Sequence, residues 1–213
     1  MNRVEIKEAA KEKIRGNKWN IWWPYLVISI IQSVLSSLFL PKVNVDFNNL
    51  ANIQMPKGYY LGSTIISILI GVLTACYLKY ILDFVRTGKF NHDVIIKTFK
   101  EKWVNLLIAG LVSSLLIGLG FVLFVVPGII LALAYTFVNF VIIDSKLSAI
   151  DALKKSREMM KGYKWNYFVF GLSFFGWLLL IAPTLGLIMI WLFPYMIVAN
   201  AMYYDKLKQK SGK

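Results

Sequence analysis

Histidine and cysteine, the side chains most often recruited as general base, nucleophile or metal ligand, occur once each in the 213-residue chain, as His92 and Cys76. One of each excludes an intrachain disulfide and any site built from several histidines or cysteines. Cys76 lies in an apolar run, and His92 lies in a basic segment with no evident nucleophile beside it. The local signatures of zinc proteases, P-loop nucleotide binding, serine hydrolases and dinucleotide binding are all missing. The expectation is a protein that is not an enzyme and uses no cofactor or metal.

The remaining polar chemistry recurs. Aspartates close three apolar runs, as Asp83, Asp144 and Asp205. Lys-Trp pairs open three others, as Lys18-Trp19, Lys102-Trp103 and Lys164-Trp165. Three carboxylates brought to one face could gather a cation. The plainer reading makes them helix-end groups beside lysines. A lysine that snorkels to headgroups, next to an indole that prefers the interface, pins the depth of a helix. An aromatic role in ligand binding is the alternative. Lys79 and Asp83, four residues apart, suit an ion pair on one helix face, against a gating role.

These residues need apolar elements to position them, and the composition supplies them. The chain is 58% hydrophobic and 16% charged, where soluble domains run nearer about 45–50% and about 25%. The first 20 residues are charged and contain no signal-peptide core, so the first apolar run reads as a retained span. A helix needs roughly 20 apolar residues to cross a bilayer. Runs at 21–40 and 61–85 each fit one crossing. The stretch 106–143 holds 38 residues without a charge, too many for one crossing, and Val126-Pro127-Gly128 divides it into spans 104–125 and 128–143. Pro183-Thr184-Leu185-Gly186 divides the next long run into 166–182 and 185–204, with a kink expected at Pro194.

The net charge of +13 would suggest nucleic acid in a soluble protein, but here the bases lie in blocks between apolar runs. Anionic membrane lipids are the expected partners, and nucleic acid is not. Lysines and arginines number six in the N-terminal segment, five between spans two and three, six between spans four and five, and four in the tail at 205–213. The alternate connections hold only Lys42 and Lys57. This alternation places both termini in the cytoplasm.

The fold class expected is all-α: a polytopic membrane protein, a single domain of six transmembrane helices arranged as three hairpin repeats. A basic amphipathic interfacial helix precedes each hairpin, at 2–16, 91–102 and 148–162. In the first, Ile6, Ala10 and Ile14 share one arc, as suits a helix lying in the interface. A solvated cytoplasmic helix is the alternative. The third opens on a Ser148–Asp151 capping box and closes at Gly162. Ser29 and Ser33, Ser67 and Gly71, and Gly110, Ser114 and Gly118 form small-residue stripes that predict tight packing of the first three spans. The outer connection at 41–60, rich in asparagine, is either a passive linker or a docking surface for an extracellular peptide.

The second half of the chain carries a resemblance. Val126-Pro127-Gly128-Ile129-Ile130, Ser156-Arg157-Glu158-Met159-Met160-Lys161-Gly162-Tyr163-Lys164, Gly171-Leu172-Ser173-Phe174-Phe175-Gly176-Trp177 and Ala201-Met202-Tyr203-Tyr204 resemble the bacterial six-span membrane proteins called domain of unknown function 975. Ile6-Lys7-Glu8-Ala9-Ala10-Lys11 and Gly16-Asn17 also look like that family, and the first hairpin matches least. The resemblance implies the plasma membrane of a Gram-positive bacterium and carries no catalytic residue with it. The expected function is non-enzymatic: protection of the envelope, such as immunity or resistance to a membrane-active peptide. A transporter, a lipid-translocating component or an accessory subunit partnered with another membrane protein is the alternative.

Overall fold

The computed structural model describes residues 2–39 and 57–211, and the expected outer loop at 41–60 falls largely outside them. The described residues are helical, with no strand among them. The order is α1 (Arg3–Ile14), α2 (Lys18–Phe39), α3 (Lys57–Thr87), α4 (Asp93–Leu123), α5 (Val125–Tyr135), α6 (Val138–Asp144), α7 (Ala149–Met159), α8 (Lys164–Leu172), α9 (Phe175–Leu178) and α10 (Met189–Ser211). Among the described residues, four helical segments are long and apolar enough to cross a membrane: Lys18–Leu38, Tyr60–Thr87, Asp93–Leu123 and Val125–Asp144. They carry apolar side chains on their outer surface, among them Leu38, Leu115, Val122 and Val126. Water penalises such a surface and lipid does not.

α3 is the central element, packed against α2, α4, α6 and α10. Tyr77, Tyr80, Ile81 and Leu82 are fully buried on it, with Cys76 beside them. Two prolines explain how its tyrosines are used. Proline has no N–H for the carbonyl four residues back, and in lipid that carbonyl needs another donor. Pro24 inside α2 frees the Asn20 carbonyl, which accepts from Tyr80 Oη at 2.7 Å. Tyr77 Oη donates to the next carbonyl, Ile21, also at 2.7 Å. Pro194 inside α10 frees the Ile190 carbonyl, which accepts from Trp22 Nε1 at 2.7 Å. α2, α3 and α10 are therefore joined at their own backbone faults.

The structure corrects the expected boundary at 91–102. No break separates that segment from the third span, because 93–123 is one continuous helix. Gly16 and Gly162, each two residues before a Lys-Trp pair, take φ of +80° and +82° and end the helices before them. Lys100 stands at the corresponding place in the middle segment, and nothing from His92 to Ala109 stops a helix.

The break expected at Val126-Pro127-Gly128 lies slightly earlier, at Phe124, whose backbone is extended. Pro127 falls in the first turn of α5, where its missing N–H costs little. Gly128 is needed for space: a Cβ there would lie 2.5 Å from the Phe121 ring. A second break parts α5 from α6 at Thr136 and Phe137. Ser156 Oγ, from α7, donates to the Ala134 carbonyl across that break at 2.9 Å.

The run 166–204 differs more from expectation. α8 and α9 are short, and 179–188 proceeds as a series of turns. Most of its backbone N–H groups, from Leu179 to Ile181 and from Thr184 to Leu187, still find carbonyls three to five residues back. Leu185, at φ 49°, and Gly186, at φ 82°, close it. Gly186 N–H reaches the Ile181 carbonyl at 2.8 Å, and Leu185 N–H reaches Ala182 at 3.1 Å, the paired bonds of a left-handed helix stop.

α1 and α7 turn their apolar arcs onto protein. Ile6, Ala10 and Ile14 are buried, with α1 lying along α10. Ala149, Ala152, Leu153, Ser156 and Met159 of α7 are buried likewise. A stripe that suits lipid also suits a helix neighbour, and here the neighbour takes it.

Candidate functional site

The polar residues converge where α3, α6 and α10 end. α3 delivers Arg86 one residue before its last, α6 ends on Asp144, and α10 carries Tyr204, Asp205 and Lys208. Arg86 Nη1 and Nη2 donate to the two oxygens of Asp144 at 2.5 and 2.9 Å, the fork geometry that suits a carboxylate. Its Nε and Nη2 also reach Asp205 Oδ1, at 2.8 and 2.7 Å. Asp144 further accepts from Lys208 Nζ at 2.6 Å and Tyr204 Oη at 3.1 Å. Its side chain is 6% exposed, against 23% for Asp205 and 30% for Arg86. A carboxylate so enclosed is stable only while its donors stay in place.

Of the three recurring aspartates, then, two meet at this cluster, and the cation between them is the chain's own Arg86. The third, Asp83, pairs with Lys79 at 2.7 Å, both side chains partly exposed. Sequence reasoning missed Arg86, Tyr204 and Lys208 as partners. A signal was present: Arg86 and Lys208 each follow an aspartate by three residues, Asp83 and Asp205. Three residues after Asp144 stands Leu147. Asp144, with no base three residues on, is the one that receives Arg86 from α3 and Lys208 from α10.

A charged groove of 390 Å³ adjoins the cluster, lined by Lys79, Asp83, Lys97, Glu101, Lys102 and Lys146 beside Asp144. Lys102 Nζ donates to the Ile142 carbonyl at 2.9 Å and to that of Ser145, at the negative end of α6. α1 closes the same end of the bundle. Lys13 Nζ donates to the Val85 carbonyl, Lys206 pairs with Glu5, and Lys7 Nζ meets Ser173 Oγ at 3.1 Å. Burial, and then the charge of Lys11, holds the Lys7 ammonium below its ordinary pKa. His92, one residue before α4, lies against Tyr80, with its Nε2 3.4 Å from the phenol oxygen.

The other expected residues are placed as follows. Trp19, Trp103 and Trp165 point outward, at 70%, 44% and 74% exposure, and Lys18 and Lys164 lie half-buried beside two of them. In the small-residue stripes, Ser29 is half-buried and donates to its own helix at Tyr25, while Ser33 and Ser67 are exposed. Gly71, Gly110 and Gly118 have no heavy atom within 4 Å of where a Cβ would stand. Gly71, Gly110 and Ser114 instead line a groove of 230 Å³ with Asn139 between α3 and α4. α2 packs on α3 and α3 on α4, but not through close contact at these glycines.

Among the described residues, an all-helical architecture with four helical segments long and apolar enough to cross a membrane is the class that the fold defines. The chain belongs to the family of proteins of unknown function designated DUF975, whose model matches residues 1–133 and 121–211. No curated protein and no solved structure matches it.

Proposed function

We propose that this chain is a non-enzymatic, multi-pass protein of the bacterial plasma membrane that protects the envelope, as in immunity or resistance to a membrane-active peptide. The observation that carries this reading is the disposition of charge. The carboxylates at the charged end, Asp83, Asp144, Asp205 and Glu5, are engaged by the chain's own bases, while the long apolar helices show lipid-compatible surfaces. Such a protein acts through its lipid and protein surfaces. In this reading residues 164–211 supply two further crossings, making six, with α1, α7 and both termini in the cytoplasm. The largely internal hydrogen bonds of the turns at 179–188 and the alternation of basic segments support that count.

Deletion of the gene tests the function. Sensitivity to at least one class of membrane-active peptide should rise and return to normal on complementation. Unchanged sensitivity across a panel of such peptides would sink the protective role. One observation favours a second reading, a transporter or lipid-translocating component. Discontinuous helices recur in transporters, and here α5 and α6 are parted at Phe137 while Asn139 faces a groove within the bundle. Movement of lipid or solute in liposomes containing the purified protein would support it. Inert liposomes would count against it.

A further inference from the structure

The corner where α7 hands the chain to α8 carries more positive charge than the described residues around it answer. A cavity of 490 Å³ there is lined by Lys154, Arg157, Lys161 and Lys164 against one carboxylate, Glu158. Lys154 reaches only Asp151, at 3.8 Å with both side chains largely exposed. The side chains of Arg157, Glu158, Lys161 and Lys164 form no ion pair or hydrogen bond among the described residues. The other charged cavities are closer to balance. Near the start of α4, Lys97 and Lys100 face Asp93 and Glu101. In the groove beside Asp144, four lysines face three acids.

Resting on the reading of this chain as a membrane protein, we propose that the α7–α8 corner binds an anionic phospholipid, with its phosphate among these four cations and an acyl chain along α8. The cationic face is held in position, because the opposite face of α7 is buried and Ser156 is hydrogen-bonded to the Ala134 carbonyl. Gly162, at φ +82°, turns the chain so that Lys164 lines the same cavity as Lys154. The planar guanidinium of Arg157 suits phosphate oxygens. Trp165, next to Lys164 and 74% exposed, is of the kind that settles at headgroup depth.

A second, separate feature fits the tail. An apolar groove of 220 Å³ includes Phe168, Gly171, Leu172 and Phe175. Lys164, Phe168 and Gly171 fall on one face of α8, at spacings of four and then three. The cation cavity and the apolar groove thus succeed one another along one helix, as the headgroup and chain of a lipid do. Free phosphate would use only the first.

The test uses the full-length protein purified into phosphatidylcholine micelles and titrated with phosphatidylglycerol, with bound lipid counted by native mass spectrometry. Wild type should prefer phosphatidylglycerol. Arg157→Gln with Lys161→Gln should weaken that preference about tenfold or more, and the charge-retaining Arg157→Lys with Lys161→Arg should keep it. Gly171→Leu, which fills open space in the groove without changing charge, should also weaken it. Lys97→Gln with Lys100→Gln, taken from the balanced cavity, should leave it intact. Equal losses in both glutamine pairs, an unaffected Gly171→Leu, or full displacement by inorganic phosphate would overturn the site. A lost lipid preference in cells that keep peptide resistance would sustain the site and remove its link to protection. An unchanged preference would remove the site and leave the protective reading to the deletion strain.

Discussion

The middle Lys-Trp segment and its two neighbours share a sequence pattern, yet they are built differently. In the first and third, a glycine at positive φ separates the amphipathic helix from the helix that follows: Gly16 between α1 and α2, Gly162 between α7 and α8. α1 and α7 can then fold back and bury their apolar arcs on the bundle. In the middle segment Lys100 replaces that glycine, and α4 runs unbroken for 31 residues. The aspartates divide in the same way. Asp83 and Asp205 have a base three residues on; Asp144 has none, and collects Arg86 and Lys208. Where the glycine is missing the helix runs on, and Asp144 is the point at which α3, α6 and α10 are tied.

The largest effect should come at that tie. Asp144→Asn leaves Arg86 and Lys208 without their enclosed acceptor and should cost about 2–4 kcal/mol of stability in detergent. The equivalent Asp83→Asn, at a partly exposed pair, should cost about 1 kcal/mol or less. Equal losses would erase the distinction between the two aspartates. Next comes the turn between α4 and α5. Gly128→Ala drives a methyl into the Phe121 ring and should cost about 1–3 kcal/mol. A neutral result would mean that α4 and α5 separate easily.

The hinge glycines follow. Gly162→Ala meets no neighbour and should lose about 1 kcal/mol from backbone strain alone. Lys100→Gly should lose a similar amount by weakening the continuous α4, and hydrogen exchange around residue 100 should quicken. Protection that stays unchanged there would break the glycine argument. The smallest effect has the opposite sign. Leu185 is 92% exposed in a left-handed conformation, so Leu185→Gly should gain up to about 1 kcal/mol in thermal unfolding.

Much of this organisation was legible in the residues. Helical class, the stops at Gly16 and Gly162, the Ser148–Asp151 cap and the Lys79–Asp83 pair follow from local spacing. The continuity of α4 was legible too, in Lys100, but the repeated Lys-Trp suggested the same break in all three segments. Other features depend on tertiary convergence. An amphipathic arc such as Ile6, Ala10 and Ile14 does not say whether lipid or α10 will cover it. Prolines at 24 and 194 announce orphaned carbonyls, but not that Tyr80 and Trp22 will serve them. The choice of Asp144 by Arg86, 58 residues away, belongs to the same class.

A double-mutant cycle between Arg86→Gln and Asp144→Asn, read by reversible unfolding of the detergent-solubilised protein, tests the tie between α3 and α6 most directly. The two losses should be far from additive, with a coupling of about 1.5 kcal/mol or more. Losses that simply sum would show that Arg86 and Asp144 contribute independently, and Asp144 would no longer be the point at which α3, α6 and α10 are tied.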